Sequence, residues 1–132
     1  LDAETGAEIW RTKEYKVRET VGLSEDGKTV YSKCMWDTVV AMDATTHEPV
    51  TRWASHAGFG YEHNPAMPLG KDGTLWVSTK NGLLMGMDAE TGKVLWQHKI
   101  GNSILNTPQP LSGTECILTS SAGTITYIRV KK

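Results

Sequence analysis

Three tryptophans stand 43 residues apart, at Trp10, Trp53 and Trp96, and this even spacing constrains the fold more than any other feature of the chain. Each follows a short acidic turn. Leu1-Asp2-Ala3-Glu4-Thr5-Gly6 and Met87-Asp88-Ala89-Glu90-Thr91-Gly92 share five of six residues, and each Gly precedes its tryptophan by four positions. A middle copy, Met42-Asp43-Ala44-Thr45-Thr46-His47, reaches Trp53 after two additional residues and carries His47-Glu48-Pro49 in place of the Gly. A period in the range of about 20–50 residues marks supersecondary units that bury their apolar faces by stacking on one another.

Further turn signals fall at matching points. Asp26-Gly27, Asp72-Gly73 and Ser112-Gly113 precede β-branched and aromatic runs such as Thr29-Val30-Tyr31, the pattern of a hairpin. Asn81-Gly82 and Ala122-Gly123 then lead into Leu83-Leu84-Met85 and Thr124-Ile125-Thr126-Tyr127-Ile128. The pattern predicts strands over 7–13, 20–24, 29–34 and 38–42; over 49–54, 65–69, 74–79 and 83–87; and over 93–99, 107–111, 115–120 and 124–130, with no helix. The repeats run approximately over 1–43, 44–88 and 89–132, as one segment spanning 1–132. Four strands per unit at this period predict an all-β fold, a β-propeller arc of three four-stranded antiparallel blades, forming part of a propeller.

In the turn, Gly6 and Gly92 are placed to take positive φ. The side chains of Asp2, Asp43, Asp88, Thr5 and Thr91 are placed to bond nearby backbone groups. The expected role of the turn is to link one blade's outer strand to the next blade's inner strand. Each tryptophan offers a broad apolar surface and one N–H, which suits Trp10, Trp53 and Trp96 to wedge between blades.

The stretch from Gly86 to Trp96, like Leu1 to Trp10, resembles the tryptophan-docking repeat of pyrroloquinoline-quinone-like propellers, and the resemblance covers essentially the whole chain. That family includes quinoprotein dehydrogenases, an outer-membrane assembly lipoprotein and propeller domains attached to other modules, so the resemblance implies a scaffold and leaves the activity open. It also implies a bacterial periplasmic or cell-surface location. Closed propellers have about four to eight blades, so three predict the carboxy-terminal arc of a longer protein. Its expected partners are the remaining blades of the parent chain or a second copy, together with a protein partner.

Charge excludes some classes. With 14 Lys+Arg against 15 Asp+Glu, the chain has no basic surplus to attract nucleic acid, and no apolar run approaches the roughly 18 residues of a membrane span. Cys34 and Cys116 fit neither a zinc site nor a disulfide scaffold, and read as buried free thiols.

Other motifs resolve into ordinary structure. Gly22-Leu23-Ser24-Glu25-Asp26-Gly27-Lys28-Thr29 matches the phosphate-loop pattern letter for letter. That chemistry needs a helix after the Lys, whereas Val30-Tyr31-Ser32 continues as a strand, so a hairpin turn is expected. Trp36-Asp37 resembles the dipeptide of another propeller class but occurs once. His47 and His98 are isolated and receive no role.

The most distinctive segment lies after Trp53. From Trp53 to Gly73 there are 20 residues, against 17 from Trp10 to Gly27 and from Trp96 to Gly113. The loop joining an inner strand to a second strand is expected near the channel mouth, which places His56, Phe59, Tyr61, Glu62 and His63 as a ligand or partner surface. Adjacent Glu62 and His63 point to opposite faces of an extended segment, so no metal is expected. No catalytic constellation and no cofactor site emerge. The reading is therefore a non-catalytic scaffold or binding segment. Its alternatives are an accessory domain on a kinase-like or phosphoesterase-like enzyme, and a fragment of a quinoprotein dehydrogenase. That last class uses adjacent cysteines as a quinone platform, and this chain has none.

Overall fold

The computed structural model describes residues 1–62, 64 and 66–131, with the backbone alone for Arg18 and Glu19. Eleven strands are formed among them: β1 (Val17–Leu23), β2 (Thr29–Cys34), β3 (Trp36–Asp43), β4 (Thr51–Tyr61), β5 (Leu69–Lys71), β6 (Thr74–Ser78), β7 (Leu83–Asp88), β8 (Val94–Lys99), β9 (Gln109–Pro110), β10 (Glu115–Thr119) and β11 (Ile125–Arg129). They build three antiparallel sheets in the orders β1-β2-β3-β4, β5-β6-β7-β8 and β9-β10-β11. The chain is all-β as its pattern predicts, with four, four and three strands.

The sheets begin at a different point from the sequence repeat. The acidic turn joins the third and fourth strands of one sheet: Asp88 N–H donates to Lys93 O, and Gly86 pairs with Trp96 across β7 and β8. It does not link one blade to the next, as the sequence reading had it. The tryptophan strand is the outer strand of its sheet, and the long connection after it leads to the next sheet's inner strand. Residues 7–13, predicted as a strand, repeat the β8 pattern but form none, because no third strand lies alongside to receive their backbone groups. The inner strands are shorter than predicted or shifted: β1 begins at Val17, and β5 and β9 hold three and two residues. β1 lies against β5, and β5 against β9.

The sheets stack face to face. Tyr31, Val39 and Ala41 on one face of the first sheet meet Leu75, Val77, Met85 and Met87 of the second. Trp76 and Leu84 on the second sheet's other face meet Leu105, Cys116 and Leu118 of the third. This follows from strand alternation: a strand between two sheets sends successive side chains to opposite cores, so β6 is buried at all five positions. Each buried Leu, Val or Met side chain contributes about 1.5–3 kcal/mol relative to an exposed one. On the first sheet's remaining face, Cys34, Val40 and Met42 are covered by Trp10 and Tyr15.

Candidate functional site

The three acidic turns share one hydrogen-bond pattern. Asp2 Oδ1 accepts from Glu4 N–H (3.0 Å), Thr5 N–H (2.8 Å) and Thr5 Oγ1 (2.9 Å). Asp88 Oδ1 accepts from Glu90 N–H (3.0 Å) and Thr91 N–H (2.8 Å). In the middle copy Asp43 Oδ1 accepts from Thr45 N–H, Thr45 Oγ1 and Thr46 N–H, so the turn begins as its relatives do. It then runs longer, and Arg52 closes it with an ion pair to Asp43 of 2.9 Å. These donors favour the charged carboxylate: Thr5 and Thr91 hold Asp2 and Asp88 below the usual range, and Thr45 holds Asp43 well below it.

The turn at Asp88–Gly92 is also a seat. Gly6 and Gly92 have φ of 71° and 75°, a region costly for residues with a Cβ. Trp53, from the first sheet, lies against Gly92 of the second, where a Cβ would overlap the indole, and its Nε1 donates to Ala89 O at 3.1 Å. Trp96 lies over Gly86 of its own sheet and meets Trp76 edge-on at 5.1 Å between ring centres. Trp10 packs on Cys34, Val40 and Met42. Trp53 thus joins the first sheet to the turn at Asp88–Gly92, while Asp2, Asp43 and Asp88 order their own turns.

The segment after Trp53 departs from its prediction. The three additional residues form a bulge inside β4: Thr38 pairs with His56 and Trp36 with Tyr61, so five steps along β4 answer two along β3. Gly58 and Gly60 turn it with φ of 81° and 76°, and Phe59 N–H donates to Asp37 Oδ1 at 2.7 Å. The bulge faces Phe59 and Ala57 into the core between the first two sheets. Phe59 is therefore a packing residue and not part of a ligand surface. Glu62 is also buried. Its carboxylate accepts from Asn64 N–H (2.7 Å) and Lys80 N–H (3.1 Å), fixing the connection to the second sheet. His56 is exposed, with Nδ1 3.4 Å from Thr38 Oγ1, and His63 lies outside the described residues.

Two features escaped the sequence reading. Trp36, 63% exposed, packs against Tyr61 at a 60° tilt with 4.9 Å between ring centres, and Lys80 Nζ lies 4.8 Å from the Tyr61 ring centre. This aromatic and cationic patch sits at the end where β2 turns into β3, opposite the acidic turns. Of its members the sequence singles out Tyr61, expected at a partner surface, and the lone Trp36-Asp37 dipeptide, while Lys80 carries no signal. The second is Lys33, buried at the same end, whose Nζ donates to Ser78 O of the next sheet at 2.7 Å. Burial pulls its amine down to about 8, opposed by the negative charge of Glu62. Asn64 Nδ2 continues the polar link to Leu105 O at 2.6 Å, tying the connection to the third sheet's approach.

The remaining motifs read as structure. Ser24 to Lys28 forms the β1–β2 hairpin turn, with Ser24 Oγ accepting from Thr29 N–H, and no helix follows it. Beside it opens a cleft of about 510 Å³ lined by Glu25, Arg52, Lys71 and Asp88, whose Arg and Lys are held by Asp43 and Glu25. Cys34 and Cys116 are free and buried in different sheets, and burial pushes both thiols up to about 11. Among the described residues no three His, Cys, Asp or Glu side chains gather to hold a metal ion, and no cysteines adjoin. That donor set does not fit a quinone with its metal. No helix among the described residues is long and apolar enough to cross a membrane.

Comparison with known proteins follows the same lines. A family model described as outer membrane protein assembly factor BamB matches residues 1–132. Among solved structures, BamB from Moraxella catarrhalis aligns with a TM-score of 0.72 and 20% identity over 90% of this chain and 35% of that one. A europium-containing methanol dehydrogenase aligns with a TM-score of 0.62 and 17% identity over 90% of this chain and 25% of that one. A lanthanide-dependent methanol dehydrogenase of Methylacidiphilum fumariolicum (strain SolV) is 33% identical over 63 residues, which is 48% of this chain and 10% of that protein. The chain thus spans between about a tenth and about a third of the lengths of these larger relatives.

Proposed function

Because the chain belongs to the family described as outer membrane protein assembly factor BamB, we propose that it is a non-catalytic propeller segment of a larger bacterial protein, serving as a binding scaffold at the cell envelope. The observation that carries this reading is the patch of exposed Trp36 with half-buried Tyr61 and Lys80. An exposed tryptophan packed on a tyrosine that carries a cation over its ring has the composition of an interaction hot spot. This patch, together with exposed His56, offers a surface to a protein partner. A photo-cross-linking residue at position 36, in source cells, is expected to trap a discrete partner in the periplasmic or surface fraction. The same residue at Glu90, on the acidic-turn end, should trap none. Equal or absent trapping at both positions contradicts the reading.

The 33% identity to a methanol dehydrogenase over 63 residues favours a second reading, in which the segment is scaffold for a quinoprotein-type enzyme whose site lies in other residues. Dye-linked alcohol oxidation that purifies with the endogenous polypeptide would favour it over the first.

A further inference from the structure

We propose, on the scaffold function given above, that the patch of Trp36, Tyr61 and Lys80 receives an acidic segment of its protein partner. Carboxylates of that segment meet Lys80 and Lys99, and an apolar side chain beside them covers the open Trp36 indole. The ground for this is a separation of charge along the strands. The chain as a whole is almost neutral, with 14 Lys+Arg against 15 Asp+Glu, whereas its two ends differ in sign.

The end with the acidic turns is negative. Glu25, Asp26, Asp43, Asp72, Asp88 and Glu90 crowd its turns, and Arg52 and Lys71, which lie among them, are already held by Asp43 and Glu25. At the other end, over 35–37, 62–68, 79–82 and 100–108, the acidic residues are Asp37 and Glu62. Both are engaged by backbone N–H groups: Asp37 Oδ1 accepts from Phe59 at 2.7 Å, and Glu62 accepts from Asn64 at 2.7 Å and Lys80 at 3.1 Å. Lys80 stands over the Tyr61 ring, and Lys99, opposite Leu83 at the close of β8, is exposed. Among the described residues neither lysine pairs with a carboxylate.

Charge of opposite sign at the two ends gives docking a direction. An acidic segment is drawn to the Lys80 end and repelled from the turn end, where the uncompensated carboxylates lie. The aromatic pair supplies what charge alone does not. Trp36 offers apolar surface to bury at the centre of a contact, with cations at its rim. The Tyr61 ring holds the Lys80 amine by a cation–π contact before a partner arrives, so less side-chain freedom is lost on binding. A neutral or basic segment would cover the same indole and leave both lysines without counter-charge. An anionic bilayer fits less well, since two lysines fall short of the clusters of about four to eight that hold a protein to one.

The test places a photo-cross-linking residue at Asn81, exposed in the turn beside Lys80, in the protein as its own cells make it. The expected result is a trapped partner whose cross-linked peptide is rich in Asp and Glu. Lys80→Glu with Lys99→Glu should lower the trapped fraction by roughly tenfold, while Lys80→Arg with Lys99→Arg keeps both charges and should preserve it. Lys99→Glu alone changes only an exposed position, so it tests the charge without risk to the fold, and it should give a smaller loss in the same direction. Glu90→Lys at the opposite end should change nothing. A neutral or basic cross-linked peptide, or equal trapping by the Glu and Arg pairs, overturns the proposal and leaves the scaffold function standing, because a partner is then still held at this end. No trapped partner at all overturns both. Binding to phosphatidylglycerol vesicles that the Glu pair abolishes makes an anionic lipid surface the occupant and overturns the proposal as well.

Discussion

The second and third sheets present similar strands to different surroundings. In the second, Leu75, Trp76, Val77, Leu84, Met85 and Met87 are all fully buried, because sheets lie on both faces. In the third, Cys116 and Leu118 are as buried on one face, while Ile117 is 37% and Ile125 79% exposed on the other. The difference lies in the neighbours and not in the strands. A sheet of this kind has little stability of its own and draws it from the sheets it touches.

The largest effect should come from Trp76, which fills the core between the second and third sheets and donates to Ser112 O. Trp76→Ala should cost about 3–5 kcal/mol in urea unfolding. A loss below about 1 kcal/mol would mean that this core does not hold the sheets together. Next is Gly86, where any Cβ overlaps the Trp96 indole. Gly86→Val should cost about 1–3 kcal/mol through overpacking.

Asp88 tests the turn. Its folded-state pKa is lowered, chiefly by Thr91, so it contributes stability present above the unfolded carboxylate range and lost as pH falls through the lowered value. Asp88→Ala should flatten the acid limb of thermal stability against pH below about 4.

Lys33 acts at the other end of the scale. Its pKa falls from 10.5 to about 8 on folding, so the folded chain binds fewer protons between those values, and stability should rise as pH goes from about 8 to 10.5. The difference in melting temperature between the wild type and Lys33→Met should carry that slope, and an identical profile in both contradicts it. The smallest effect belongs to the third sheet's open face. In the single chain, Tyr127→Ala should change unfolding free energy by less than about 0.5 kcal/mol, the counterpoint to Trp76.

Much of this was legible in the residues. The Asp-x-x-Thr-Gly turns, the hairpin at Ser24–Lys28 and the buried thiols all follow from short-range chemistry, which a linear sequence displays. The phase of the sheets was not, because a periodic sequence looks the same from any starting point. Only strand pairing shows that Asp88 to Trp96 closes a hairpin inside one sheet. The fate of the 56–64 segment was hidden for a related reason: an insertion of three residues reads as a loop, whereas here it bulges β4 and turns Phe59 inward. Trp36 carried no periodic signal, and its exposure depends on a pairing with Tyr61 that spans 25 positions.

Hydrogen exchange on the chain tests the dependence of each sheet on its neighbours most directly. The account predicts that β6 and β7 amides exchange only through global unfolding, while β11 amides exchange through local opening at far lower cost. Equal protection in β7 and β11 would contradict it, since a sheet covered on one face and open at its edge would then be as stable as one covered on both.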